Sequence, residues 1–262
     1  MNPIELIAKE EMPVYFLSPH MDDAILSCGG LMVYLKERTE LQVINIFTSV
    51  SRPPESKFAV KFVKSCGYDD SYTLFEARKK EEKALFSQLK IESLSLSFID
   101  AAWRKKPDNL VVKSLGNLFP EILHIYPEEK QVFSGKISGY DNLLRVSLKE
   151  RLDSILNNNK AVVFCPIGVG GHVDHLLTRE SCKKNFKRII YWADFPYNLV
   201  YKADRIFINA NKLRPFSWKK KLEIKKKLIA GYKSQLQSLF PSGKIPIKKE
   251  TYYLNPEVLR IY

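Results

Sequence analysis

Two short motifs concentrate the side chains of this sequence that could do acid–base or metal chemistry. The first, PHMDDA, carries His20, Asp22 and Asp23, and the second, GGHVDH, carries His172 and His175. The 262 residues include only four histidines, and three of these fall in the two motifs. Imidazole nitrogen and carboxylate oxygen are donors that a catalytic zinc site uses, with three protein ligands and one position left for water. The two motifs together therefore predict a site for a divalent metal ion.

The spacing within the first motif allows two of its side chains to reach one ion. His20 and Asp23 are separated by two residues at the predicted start of a helix, and His175 would supply a third ligand from a distant part of the chain. Asp22 is then left unbound beside the ion, where a carboxylate can take a proton from the attacking water. As an imidazolium, His172 would stabilise an oxyanion or protonate a leaving amine.

Each motif also has a plain structural explanation. Two acids before an apolar helical stretch form an N-cap with favourable charge at the helix amino terminus. A single histidine in a loop is more often solvated or structural than a ligand, and His124, in EILHIYPEEK, is assigned that structural role. Because both motifs occur together and each follows a predicted strand, we favour the metal site over the cap alone.

The elements that position these motifs are predicted from hydrophobic patterning. Residues 14–18 and 41–48 are typical of β-strands and flank a helix at about 24–37, which makes a β-α-β unit. Residues 101–141 are rich in Pro, Lys and Gly and are predicted as loops with a short helix. Further strands are predicted at 94–99, 161–166, 188–194 and 205–209, and further helices at 76–90, 143–156 and 174–184.

Strands that alternate with helices predict an α/β fold that is Rossmann-like, with a mostly parallel sheet and helices on both faces. In such sheets, ligands bind beyond the carboxyl ends of the strands, and both motifs begin at such ends. The length favours one domain over two, so residues 1–262 are predicted to form a single domain.

The charge of the chain limits the partners that we expect. The net charge is +13, and residues 211–249 contain 12 Lys or Arg against one acid. Apolar residues recur at helical spacing there, from Trp218 to Leu239, which predicts one helical face on the core and a solvated lysine face. A weak contact with an anionic surface is the alternative. No helix-turn-helix, zinc-finger or RNP-like pattern accompanies the charge, so a specific nucleic-acid partner is not predicted.

The sequence also bears on location. No apolar run is long enough to cross a bilayer, so no transmembrane segment is predicted. The amino-terminal residues include acids where a secretory signal would be basic, so we expect a cytoplasmic protein. The sequence carries no indication of oligomeric state.

The two motifs resemble the signatures of the N-acetylglucosaminyl-phosphatidylinositol de-N-acetylase family (PIG-L or LmbE-like), whose members are metal-dependent deacetylases. The family's first signature reads P/A-H-P-D-D-E after the first strand, and its second reads H-P-D-H. PHMDDA and HVDH match them at the histidine and aspartate positions. The segments EARKKEEKAL, ADFPY and YKSQLQSLF are similar to other parts of the family sequence, so the resemblance covers most of the chain.

The resemblance implies a role for each motif residue. His20, Asp23 and His175 would hold zinc, with ferrous iron or another divalent metal as alternatives. Asp22 would be the general base, and His172 the electrostatic or acid group.

The resemblance also implies roles for residues outside the two motifs. Arg78, in EARKKEEKAL, would grip substrate hydroxyls or phosphate, and Asp100, at the end of the third strand, would steady His172. Three positions depart from the family pattern without removing a ligand, namely Met21, Ala24 and Gly170. Two of these three changes alter the expected pocket lining.

The function that the resemblance implies is hydrolysis of the N-acetyl group of an N-acetylglucosamine-type amino sugar or its conjugate, with release of acetate and a free amine. The partner would then be a small amino-sugar conjugate. The main alternative is a non-catalytic sugar or anion-binding protein on the same fold, which loss of Asp22 would have favoured. A surface binder that acts through the lysine-rich segment is a further alternative.

Overall fold

A computed structural model of the protein describes residues 2–107, 116, 118–156, 160–183 and 186–259. Its strands are β1 Val14–Ser18, β2 Leu41–Ser49, β3 Glu92–Ile99, β4 Val162–Pro166, β5 Ile189–Trp192, β6 Arg214–Trp218 and β7 Glu250–Leu254. Its helices are α1 Pro3–Lys9, α2 Asp23–Leu35, α3 Lys57–Ser65, α4 Ser71–Leu89, α5 Glu129–Val132, α6 Asn142–Ile155, α7 Val173–Lys183, α8 Arg205–Ala210, α9 Leu222–Ile229 and α10 Lys233–Leu239.

All seven strands form one sheet in the order β3-β2-β1-β4-β5-β7-β6. The first five strands of this order are parallel. Strand β7 runs antiparallel to β5, and β6 runs antiparallel to β7. The predicted α/β fold with a mostly parallel sheet is thereby confirmed.

Both faces of the sheet are covered by helices. Along β4, Val162 and Phe164 pack into one hydrophobic cluster, which includes residues of α2. Val163 and Cys165 point the other way and pack into a second cluster, which includes residues of α6 and α7. Every residue of β4 is buried, as expected for a central strand with both faces covered.

The predicted strand at 205–209 is wrong, because these residues belong to α8. The side chain of Asp204 caps this helix by accepting hydrogen bonds from the backbone N–H groups of Ile206 and Phe207. An N-cap at this point outweighs the β-propensity of the apolar residues that follow it. The predicted helix at 174–184 is observed as α7, and residue 184 lies outside the described residues.

The lysine-rich segment 211–249 is more divided than its spacing predicted. Trp218 ends strand β6, and only the residues beyond it form the helices α9 and α10. Lys225, on α9, is buried and forms an ion pair with Glu250 of β7, with Nζ 3.2 Å from Oε1. Most of the other lysines of the segment are exposed, as the amphipathic pattern predicted.

The Lys225–Glu250 pair is tied to helix α2, which follows the first motif. Glu250 accepts hydrogen bonds from the backbone N–H groups of Gly30 and Leu31 at 2.8 and 3.0 Å. Lys225 Nζ donates to the carbonyl oxygen of Ser27. A Cβ atom at Gly30 would lie 3.2 Å from the Glu250 carboxylate, so glycine allows this close approach.

Among the described residues, no helix combines the length and hydropathy that a membrane span requires.

Candidate active site

The residues of the two motifs meet at one edge of the sheet. They lie in the loops that follow β1 and β4 and in the first turns of the helices α2 and α7 that come next, and they are joined there by residues that follow β3 and β5. This edge is where parallel sheets bind ligands. The clustered residues are His20, Asp22, Asp23, Asp100, His172, Asp174, His175 and Asp194.

The three predicted metal ligands lie side by side. Oδ2 of Asp23 is 3.0 Å from Nδ1 of His20 and 3.3 Å from Nε2 of His175. One ligand atom from each of the three residues lies within 4.8 Å of the others, and all three side chains are buried. Side chains 155 positions apart, from His20 to His175, therefore converge on one point.

The orientation of His175 fits a metal ligand. Its Nδ1 lies 2.6 Å from Oδ1 of Asp194, whose Oδ2 accepts hydrogen bonds from the backbone N–H groups of Gly168 and Val169. This fixed carboxylate places the proton of the neutral ring on Nδ1. Nε2 of His175 is buried and has no hydrogen-bond partner in the part of the chain that the structure describes, an arrangement that is unfavourable unless a ligand satisfies the nitrogen. The donor set therefore fits a divalent metal ion.

A second group of potential ligands overlaps the first. His20, His172 and Asp174 also have ligand atoms within 4.8 Å of one another. However, one oxygen of Asp174 forms an ion pair with Arg104, and the other accepts a hydrogen bond from the backbone N–H of Ala101 at 2.9 Å. Because both oxygens of this carboxylate are already engaged, the first group is the better candidate.

The side chain of Asp22 faces the cavity instead of capping the helix. Asp22 occupies the N-cap position of α2, but its side chain makes no capping hydrogen bond. The hydroxyl of Ser18 instead accepts from the backbone N–H of Ala24 at 3.0 Å. Burial raises the pKa of Asp22, the charge of Asp23 raises it further, and Arg78 opposes both. The cap explanation therefore does not account for this carboxylate.

The two residues predicted outside the motifs both line the same cavity. Arg78, only 3% exposed, extends from α4 and places its guanidinium 3.5 Å from Oδ1 of Asp22. Asp100 places Oδ2 3.5 Å from Nε2 of His20. The prediction paired Asp100 with His172, whereas the ring that its carboxylate contacts in the structure is that of His20.

His172 lies against the cluster in a form that differs from the predicted imidazolium. Its Nδ1 accepts a hydrogen bond from the backbone N–H of Asp174 at 3.2 Å, so the proton of the neutral ring is on Nε2. Burial and the nearby rings of His20 and His175 lower the pKa of His172 well below its usual value. The structure thus favours a neutral ring that donates through Nε2–H.

The other two imidazoles are in a strongly negative environment. Burial acts to lower the pKa of His175, but Asp23 and Asp194 outweigh it and raise this pKa to about 9. Burial likewise opposes a charge on His20, and Asp100 is the strongest of the carboxylates that raise its pKa well above the usual value. Carboxylates that raise the pKa of two rings would likewise stabilise a metal cation that binds these rings in their neutral form.

A cavity of about 430 Å³ is lined by part of the cluster, namely His20, Asp22, Asp23, Asp100 and His172, together with Arg78. Gly170, one of the departures from the family pattern, lies beside it with a φ of +87°. A Cβ atom at Gly170 would lie 3.0 Å from the side chain of Tyr197, which lines the cavity. The space that a larger side chain would use is therefore filled by Tyr197.

Two residues of the site were missed by the sequence analysis. Asp194 belongs to the segment ADFPY, and the signal that could have identified it is a carboxylate at the end of a predicted strand, on the same edge as both motifs. Arg104 lies in the irregular region after β3, where no pattern indicated that it would meet Asp174.

The fold and the site together define a class: an α/β protein with a buried His/Asp site of the kind that metal-dependent hydrolases use. The chain belongs to the GlcNAc-PI de-N-acetylase (PIG-L) family, whose model matches residues 15–185. The resemblance noted from the motifs is confirmed.

Known proteins with similar sequences or folds agree with this membership. Over 211 residues the chain is 24% identical to 2'-N-acetylparomamine deacetylase from Streptomyces fradiae, an alignment that covers 77% of this chain and 64% of that protein. The chain thus spans slightly less than two thirds of the length of this relative.

Solved structures show the same fold. The zinc-inhibited form of teicoplanin deacetylase Orf2 superposes with a TM-score of 0.67 at 21% identity, covering 92% of this chain and 97% of that one. The A40926 pseudoaglycone deacetylase Dbv21 gives a TM-score of 0.62 at 18% identity, covering 93% and 96%.

Proposed function

We propose that the protein is a divalent-metal-dependent N-deacetylase. It hydrolyses the N-acetyl group of an N-acetylglucosamine-type amino sugar or its conjugate and releases acetate and a free amine. The observation that carries this proposal is the convergence of His20, His175 and Asp23 beside the uncoordinated carboxylate of Asp22. Family membership and the deacetylase activity of 2'-N-acetylparomamine deacetylase support the same reaction.

His20, Asp23 and His175 would hold the ion, and we propose zinc, with ferrous iron or another divalent metal as alternatives. When bound, such an ion supplies Lewis-acid polarisation of the acetyl carbonyl and lowers the pKa of water. Asp194 keeps the ring of His175 in the orientation that this role needs, because it binds the opposite nitrogen.

Asp22, His172 and Arg78 would assist the reaction without binding the ion. Asp22 takes a proton from the water that adds to the acetyl carbonyl carbon, and later gives it to the nitrogen as the C–N bond breaks. His172 donates a hydrogen bond from Nε2–H to the carbonyl oxygen as negative charge develops there. Arg78 holds the Asp22 carboxylate in place and has donors left for a substrate hydroxyl.

The proposal is tested by incubating the purified protein with zinc and a panel of N-acetylglucosamine conjugates, and by measuring both acetate and free amine. We expect equal amounts of the two products from at least one conjugate. The Asp22→Asn variant is the matched control, and it should bind zinc but release little acetate. A protein that releases acetate from no conjugate, yet binds sugars, would instead be the non-catalytic alternative.

A further inference from the structure

The cavity that holds the candidate active site has two chemically different ends. The inner end is formed by the charged cluster after β1, β3 and β4. The outer end is largely apolar. Its walls include Phe58 and Phe62 of α3, Leu199 and Val200 in the loop after β5, and Leu239 of α10. The polar side chains that line the cavity outside the charged cluster are those of Glu129, Tyr197, Tyr201, Gln235 and Ser238.

The loop after β5 exposes its apolar side chains to water at the mouth of this cavity. Leu199 is 42% exposed, Val200 is 78% exposed and Tyr201 is 59% exposed. Two exposed aliphatic side chains followed by an exposed tyrosine ring, all in the lining of a cavity, are typical of a surface that a ligand covers. Aliphatic groups cannot hydrogen-bond to sugar hydroxyls, which would lose their water against such a surface without compensation.

Outside the charged cluster, none of the described residues that line the cavity is a cation. Apart from the charged cluster itself, Glu129 is the charged residue among the described residues that line the cavity. Arg78, the cation within the cluster, faces the carboxylate of Asp22. A phosphate or carboxylate group on the far part of the substrate would therefore find no positive partner here, and it would have to be desolvated against apolar walls.

We propose that the substrate is an N-acetylated amino sugar with an uncharged, apolar aglycone of several carbon atoms, and that the outer end of the cavity binds this aglycone. This inference rests on the proposed deacetylase function, because it takes the sugar to be held at the charged inner end. The aglycone then lies between α3 on one side and the 199–201 loop with Leu239 on the other.

The test uses a homologous series of alkyl glycosides of N-acetylglucosamine, from methyl to octyl, below their micelle concentrations. The value of kcat/KM for acetate release is measured for each member. Each buried CH2 group is expected to raise kcat/KM by up to about fourfold. A series in which kcat/KM does not depend on chain length would overturn the inference, while acetate release from the methyl glycoside would leave the deacetylase function standing.

A matched pair of variants locates the effect. Val200→Asp places a carboxylate in the exposed loop and should flatten the dependence on chain length. Ile206→Asp is the control, because Ile206 is 82% exposed on α8 and does not line the cavity. This control should keep the wild-type dependence. Loss of the dependence in both variants, or in neither, would show that the aglycone does not bind at the 199–201 loop.

A binding measurement separates this inference from turnover. Calorimetry with the zinc-loaded Asp22→Asn variant compares the dissociation constants of the octyl and methyl glycosides directly. We expect the octyl glycoside to bind at least 10-fold more tightly. Equal dissociation constants would contradict the apolar subsite whether or not any glycoside is hydrolysed.

Discussion

Two buried histidines in different regions of the molecule look alike at first. His175 and His124 each have an Nε2 atom without a hydrogen-bond partner among the described residues. Each also fixes its Nδ1 atom, His175 through Asp194 and His124 through the carbonyl oxygen of Pro120 at 2.8 Å. By hydrogen bonding alone, either ring could be a metal ligand.

The surroundings of the two rings separate them. Asp23 lies 3.3 Å from Nε2 of His175, and the nearby carboxylates raise the pKa of this ring. Burial lowers the pKa of His124, and Lys105 and Lys106 lower it further. The difference teaches that an unpartnered imidazole nitrogen becomes a candidate ligand only where carboxylates converge on the same point and offset the charge of a cation.

The largest effect that we expect concerns the carboxylate that is not a ligand. Asp22→Asn should lower kcat by about 10²–10⁴-fold, because it removes the proposed proton acceptor and leaves the three predicted ligands in place. Zinc content and thermal unfolding temperature, measured on the same preparation, should match the wild type. Full activity in this variant would remove Asp22 from the proposed role.

Replacing His175 tests the comparison directly. His175→Ala should weaken zinc binding by more than about 100-fold, since it removes a proposed ligand and not a residue that only orients one. The dissociation constant is measured by competition with a chromophoric chelator. Undiminished affinity would mean that the unpartnered Nε2 atom of His175 does not face the ion.

A smaller loss of zinc affinity is expected from replacing Asp194, whose carboxylate contacts the ring of His175. Asp194→Asn keeps the shape of the side chain but weakens its hold on the Nδ1–H group of His175, so zinc affinity should fall by about 10–100-fold. The same competition assay measures it. A loss as large as that of His175→Ala would indicate that Asp194 acts on more than the orientation of His175.

The smallest effect on metal binding should come from the other buried histidine. His124→Ala should leave zinc affinity unchanged, although the loss of packing and of the bond to Pro120 should destabilise the fold by about 0.5–3 kcal/mol. Chemical denaturation measures the stability, and metal analysis measures the zinc. Reduced zinc content in a folded His124→Ala protein would contradict the assignment of a purely structural role to His124.

Much of the site could be predicted because most of its residues fall in two short motifs, each directly after a predicted strand. His20, Asp22 and Asp23 follow β1 directly, and His172 and His175 follow β4, so strand patterning alone placed both motifs at one edge of the sheet. These are the parts of the structure that depend on short-range order and on the general geometry of parallel sheets.

The rest depends on contacts between distant parts of the chain. Asp194 shows its role only when β5 lies beside β4, and the partner of Asp100 depends on how the loop after β3 folds against the first motif. Strands β6 and β7 were not predicted, and β6 lies in the segment that was interpreted as helical. Strand β6 contains Pro215, which an edge strand tolerates. The residues 205–209 have the composition of a strand, but they form a helix because Asp204 caps its amino terminus.

The ion pair between Lys225 and Glu250 has a consequence for how the protein is made. Glu250 binds backbone N–H groups of α2 from 220 positions further along the chain. During synthesis, Asp22 and Asp23 leave the ribosome early, whereas the carboxylate that anchors their helix leaves it much later. The contact that anchors α2 can therefore form only after residue 250 has been synthesised, and it closes a long loop of the chain.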